Sequence, residues 1–407
     1  MTVRRSTAAL AAATAVLCTA AAPAAFADDA SPSASASPSV VIPSGLYGKT
    51  DPTYDGVWRQ SLALLAQDTV KVAPAAKAVD WLTAQQCANG GFASFRADAS
   101  KACDAKTMFD TNATSAAVQA LVALGGHDDT VKKSTDWLKS VAGKDGGWSY
   151  VPGGPSDANS TAVVVGALAA AGEKGDVVDK AQGVLLSLSV PCDDASGAGA
   201  FAYQPDKSGK LFANAKATTG AVLGSLGEQL NPSKGDKDPQ GTGCEKATDP
   251  AGAAHNGSAY LAGQLSKAGY LKSTLPGSTD KPDYGNTADA VTALAADGLS
   301  GQAQAPLAWL EKNSAAWAKG SPAAYAQLIF AAHATGTDPK DFGGANLVEQ
   351  LNATGPAPQT AADTSSASKK DDKDSGGFSV WWIVGIGLVA GVGIGFLMSA
   401  RGRKNQG

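Results

Sequence analysis

The sequence has little with which to do metal or acid chemistry. His127, His255 and His333 are its three histidines in 407 residues, and each stands far in sequence from a cysteine that could share a metal with it. The cysteines lack the close CxxC spacing of a zinc site. There is no DxDD run, in which one carboxylic acid becomes strong enough to protonate an alkene. Nor is there a DDxxD run to hold magnesium against a diphosphate. The acidic pairs in the body of the chain, Asp128-Asp129 and Asp193-Asp194, read as a helix start and a loop beside Cys192. No Ser/His/Asp arrangement is readable. Basic clusters are missing from the body as well. With 33 Lys and Arg against 37 Asp and Glu, nucleic acid is not an expected partner.

What is present is clearest at the two ends. Arg4 and Arg5 precede an Ala-rich apolar run, Ala8–Ala22, and Ala25-Phe26-Ala27 offers a small-x-small cleavage site, so residues 1–27 read as a signal peptide. Thr7 and Ala8 stand where a twin-arginine signal carries a bulky apolar pair, which favours the general export route. Residues 28–44 are a Ser/Ala/Pro-rich segment expected to be disordered. At the other end, 378–398 carries no charged side chain and would make a helix of roughly 31 Å, enough to span a bilayer. Trp381 and Trp382 fit the outer interface. Arg401, Arg403 and Lys404, in a basic tail at 399–407, fit the cytoplasmic side. Residues 355–377 read as a flexible linker. The expectation is a single-pass protein of the cell membrane, its N-terminal domain outside and its C-terminus in the cytoplasm.

Cys18 would leave with the signal, so the remaining body, 45–354, holds Cys87, Cys103, Cys192 and Cys244. An even number in an exported domain suggests two disulfides, with three pairings available. Sequential pairing, Cys87–Cys103 and Cys192–Cys244, is expected because each pair brackets a Gly/Asp-rich loop.

The body repeats itself. Segments beginning at Asp110 (DTNATSAAVQALVALG), Asp157 (DANSTAVVVGALAAAG), Phe212 (FANAKATTGAVLGSLG) and Asp283 (DYGNTADAVTALAADG) align, each with a leucine four residues before a closing glycine. Thr114, Thr161 and Thr287 share one register. An Asp or Asn at the start suits a helix N-cap, and the closing glycine suits the left-handed residue after the last turn. Trp-Leu helices at Trp81, Trp137 and Trp309 alternate with these segments. Gly-Gly-aromatic loops follow the first two, at Phe92 and Trp148, with a weaker version at Phe201. Inner helices are expected near 57–68, 112–124, 159–171, 214–226, 286–297 and 322–335. Outer helices are expected near 75–86, 130–141, 177–188, 257–268, 302–315 and 344–353. Six hairpins can close into an all-α double-walled ring, an α/α toroid, with no need of capping repeats.

The pattern Trp81-Leu82, Gln85, Gly91-Phe92, Asp110, Asn112, Thr114, Leu121, repeated at Trp137-Leu138, Gly147-Trp148, Asp157, Asn159, Thr161 and Leu168, resembles the squalene-cyclase and protein-prenyltransferase repeat superfamily. The resemblance covers about residues 54–353 and implies an α/α toroid. The acids of its cyclases and the zinc ligands of its prenyltransferases are absent. So is the thioester of its complement-type relatives, since Leu226 precedes Gly227-Glu228-Gln229 where a cysteine is required. In being exported, disulfide-bearing and without cyclase acids, the chain looks similar to the cobalamin carriers of the superfamily, though it lacks a second, β-rich domain to clamp such a ligand. The resemblance implies a non-catalytic binding module for a small molecule, such as a cobalamin-like ligand, or for an envelope or transporter protein. An isoprenoid-processing enzyme with an unrecognised acid site and a structural scaffold are the alternatives. Candidate ligand contacts at one mouth of the ring are Asp110, Asn112, Asp157, Asn159, Asn214, Asp283 and Asn286, with Trp148, Tyr150, Tyr203 and Tyr284 for stacking. Helix capping and inter-repeat packing compete for the same residues. His255 is the candidate to approach the metal of a corrinoid. No catalytic residue, no resident cofactor and no metal site is expected.

Overall fold

A computed structural model describes residues 41–235, 243–274 and 277–360. Among these residues there are thirteen helices and no extended strand. Six are inner: α1 (Gly56–Thr69), α3 (Thr111–Leu124), α5 (Ala158–Ala170), α7 (Ala215–Leu226), α9 (Tyr284–Ala296) and α12 (Pro322–Thr335). Six are outer: α2 (Ala76–Ala84), α4 (Asp128–Ser140), α6 (Asp176–Ser187), α8 (Pro250–Leu265), α10 (Ser300–Asn313) and α13 (Leu347–Asn352). A single turn, α11 (Ala315–Ala318), links α10 to α12. Each inner helix packs on the next, α1 on α3, α3 on α5, α5 on α7, α7 on α9 and α9 on α12. The circle is completed by α12 packing back on α1. The all-α toroid expected from the repeats is therefore what the described residues form.

Five of the six inner helices fall where their sequence pattern places them because each begins at a strong cap; Asp55, ahead of α1, makes no side-chain cap bond. Asp110, Asp157, Asn214, Asp283 and Ser321 each accept the backbone N–H three residues on. The largest departure is α8, expected from 257. It starts at Pro250, where Asp249 caps the helix and proline fills a first-turn position that has no use for an N–H.

A threonine four residues after the cap locks each repeat to its own loop. The Oγ1 atoms of Thr114, Thr161, Thr218 and Thr287 accept the N–H of Phe92, Trp148, Phe201 and Leu271, at 2.9–3.0 Å. Those four side chains are buried plugs between hairpins. Two residues before the first plug, Gly90 has φ 95°, and a Cβ there would stand 2.1 Å from the carbonyl oxygen of Lys133 on α4. Only glycine allows the loop to lie this close to the next outer helix. Cys87–Cys103 and Cys192–Cys244 both form disulfides, the pairing expected from the sequence, and each pins a plug-bearing loop.

The seam of the ring is polar. Gln60 of α1 accepts the N–H of Tyr47 and donates to the carbonyls of Gly45 and Ala78. Gln67 donates to Tyr47 Oη and to Asn352 Oδ1 of α13. Beyond α13 the chain folds back onto the first hairpin. Tyr47 Oη donates to the Pro356 carbonyl, and Gln359 bonds Ala73 and Pro74. The first residues of the segment expected to be a linker thus dock on the ring.

The single-pass membrane localisation is corrected here. Among the described residues no helix is long and apolar enough to cross a membrane. Residues 378–398, on which that expectation rested, lie outside the described residues, as do the signal peptide at 1–27 and the tail at 399–407.

Candidate functional site

The N-termini of the inner helices gather at one mouth. The backbone N–H of Thr111, which opens α3, donates to the carbonyl of Tyr150 in the loop before α5. The N–H of Ala158, which opens α5, donates in the same way to Tyr203 before α7. The tyrosine rings complete these clasps. Tyr150 stands beside Asp110, with its hydroxyl 3.3 Å from Ser94 Oγ, and Tyr203 stands beside Asp157. Burial raises the phenol pKa of both above its ordinary value, and the neighbouring carboxylate adds to the effect.

Several of the expected ligand contacts are occupied by these structural tasks. Asp110 accepts from Ala113 N and Ser94 Oγ, and Asp157 from Ser160 N and Oγ. Asp283 accepts from the N–H and the side-chain amide of Asn286, which commits Asn286 as well. Asn214 caps α7. Trp148 is a buried plug whose Nε1 donates to the Leu138 carbonyl. Tyr284 is stacked between Trp309 and Trp317, with centroids at 5.1 and 5.6 Å. His255 is on outer helix α8, with Nδ1 3.2 Å from Asp297 Oδ2. It therefore stands on an outer helix and not at the inner-helix caps where the expected Asp and Asn contacts lie.

What remains at the mouth defines a hollow. On five inner helices the second and sixth residues after the cap form a stripe, i and i+4, that turns to the centre of the ring. They are Asn112 and Ala116, Asn159 and Val163, Lys216 and Gly220, Gly285 and Asp289, Ala323 and Gln327. All but Ala116 keep some solvent exposure, while the next four residues of each helix are buried. Trp58 fills the same level on α1 and is likewise partly exposed. Neighbouring helices bring these groups together. Gln327 Nε2 donates to Asp289 Oδ1 at 2.9 Å, and Lys216 acts electrostatically on the same carboxylate. A Cβ on Gly220 would lie 3.9 Å from Asn159 Oδ1, an acceptor that is buried and has no partner.

The far end of the hollow is closed. After α7 the chain crosses the ring as a strap. Leu230 N donates to Gln119 Oε1 of α3, Asn231 Nδ2 donates to Thr69 Oγ1 of α1, and Gly235 N donates to the Ala295 carbonyl of α9. The result is a blind cup whose two side-chain layers are about 6 Å apart along the helices. Asp289 sits in the lower layer, densely surrounded yet touched by solvent. Desolvation pushes its pKa up to about 6, against the opposing pull of the Gln327 amide and Lys216. The sequence reading found Asn112 and Asn159 but missed Lys216, Asp289 and Gln327. The available signal was a charged or amide group in an Ala-rich helix, two residues after the cap for Lys216 and six for Asp289 and Gln327.

The rim is apolar. Tyr54, Met108, Tyr150, Val151, Tyr203 and Phe212 are exposed, and all lie in the loops leading into α1, α3, α5 and α7. Among the described residues no group of three or more His, Cys, Asp or Glu could hold a metal ion.

Residues 57–201 match the family model of the prenyltransferase alpha-alpha toroid domain. No curated protein matches the chain. Among solved structures it is similar to a sugar epimerase from a ruminal bacterium, at 15% identity and a TM-score of 0.41 over 65% of this chain and 78% of that one. It is also similar to a protein from Actinoplanes, at 18% identity and a TM-score of 0.30 over 62% and 81%. The expectation of a protein that is not an enzyme is withdrawn; the first of these structures is named as an enzyme. At this level of similarity they assign no activity to this chain.

Proposed function

We propose, from the match of residues 57–201 to the prenyltransferase alpha-alpha toroid model and from the ring that the described helices complete, that the protein binds a small molecule in the lumen, through the mouth where the inner helices begin. The observation that carries this reading is the blind polar cup. Its wall bears Asn112, Asn159, Lys216, Asp289 and Gln327, groups that a ring built only for packing would replace with apolar side chains.

The wall also bears on the isoprenoid alternative. An apolar chain entering this cup would strip water from Asp289 and Lys216 and return no hydrogen bond. A hydrogen-bonding ligand suits the site better.

Native mass spectrometry of the full chain purified from its own host tests the reading, beside the variant Gly220→Leu. A Cβ at Gly220 meets nothing closer than 3.8 Å, so a larger side chain can start there without a clash at its first atom. The expected result is a small-molecule adduct on the native protein that is lost in the variant. An adduct that survives Gly220→Leu would place the ligand elsewhere and overturn the reading.

A further inference from the structure

Resting on the lumen as the binding site, we propose that its ligand is a neutral oligosaccharide whose terminal sugar enters the cup while the following units lie on the aromatic rim. Lys216 is offset by Asp289 and by Asp283, which also acts on Asp289, so the wall offers no unopposed cation to an anionic ligand. The remaining polar groups are the planar amides of Asn112, Asn159 and Gln327. Each can donate and accept side by side, which matches neighbouring hydroxyls on a sugar ring.

The rim adds the second half of the recognition. Tyr54, Tyr150, Tyr203 and Phe212 are exposed in the loops around the mouth. Exposed aromatic rings are costly to leave in water, and their faces suit the C–H faces of sugar rings. Their hydroxyl and backbone bonds hold Tyr150 and Tyr203 in place, so a ligand meets surfaces that are already ordered. A rim with several aromatic platforms above the polar wall fits a ligand longer than a monosaccharide.

The test is isothermal titration of the full chain with neutral trisaccharides built of glucose, mannose, galactose and N-acetylglucosamine, beside farnesol and trialanine. Helical circular dichroism checks that each variant folds. At least one trisaccharide is expected to bind at one site per chain. Asp289→Asn should weaken it by tenfold or more, and Gly220→Leu should abolish it. Phe212→Ala should weaken the trisaccharide several-fold and leave the matching monosaccharide unchanged. Absence of trisaccharide binding, or binding that Gly220→Leu does not affect, overturns the proposal. If farnesol or trialanine binds instead and Gly220→Leu removes it, the saccharide assignment fails while the lumen remains the binding site. If no probe binds and no adduct accompanies the native protein, both readings fail.

Discussion

Asp289 shows how a single residue reports on the site. Its carboxyl titrates near 6 in the folded chain, against an ordinary value of 3.8. A raised carboxyl pKa means that the folded state resists ionisation. The group is therefore without effect on stability well below pH 4; its penalty builds between about pH 4 and 6, where the unfolded chain ionises and the folded one does not, and is complete above 6. Replacing it by asparagine removes the penalty and keeps an acceptor for Gln327. Asp289→Asn is expected to be about 1–3 kcal/mol more stable than the native chain at pH 7.5 and equal to it near pH 3, as read by urea unfolding at each pH. A variant that is less stable at pH 7.5 would show that the carboxylate is held by partners strong enough to outweigh its burial. No sequence rule singled out Asp289, because an acid in an Ala-rich helix becomes notable only when five other helices enclose it.

At the scale of the element, the repeat is a cap, a threonine and a plug. The cap sets where the helix begins, and the threonine oxygen takes the N–H of the plug. Because the Trp148 amide is buried, removing its acceptor leaves it unsatisfied. Thr161→Val is expected to lower stability by about 1–3 kcal/mol, measured as a shift in the urea midpoint at unchanged slope. An unchanged midpoint would mean that the plug is held by packing alone. Most of this unit was legible beforehand, since caps, closing glycines and Gly-aromatic loops are local signals. The third copy was harder. Aligned on Phe212, it hid Thr218, which falls into register only when Asn214 is taken as the cap. The start of α8 was misplaced for a related reason, as Asp249-Pro250 lies outside any repeat. The aromatic residues were legible as present but not as to role. Trp148 is sealed inside, while Tyr150, two residues later, is on the rim.

For the whole molecule, closure decides the rest. Six hairpins in a row would leave two raw ends, whereas here α12 covers α1 and the C-terminal residues dock on the first hairpin. The strap after α7 then turns the hole of the ring into a cup. Neither the strap nor the seam could be read from periodicity, because both join residues more than a hundred positions apart. The sequence did indicate that hairpins of this kind would close, and the lumen, with the function proposed for it, depends on that closure. Spin labels on cysteines introduced at the exposed positions Thr53 and Lys319, just ahead of α1 and α12, test it by dipolar distance measurement. Adjacent helices lie about 8–10 Å apart, so a closed ring predicts a separation within about 20 Å, label arms included. A distance near 45 Å or more, as five such spacings in an open row would give, contradicts the ring and everything inferred from its hollow.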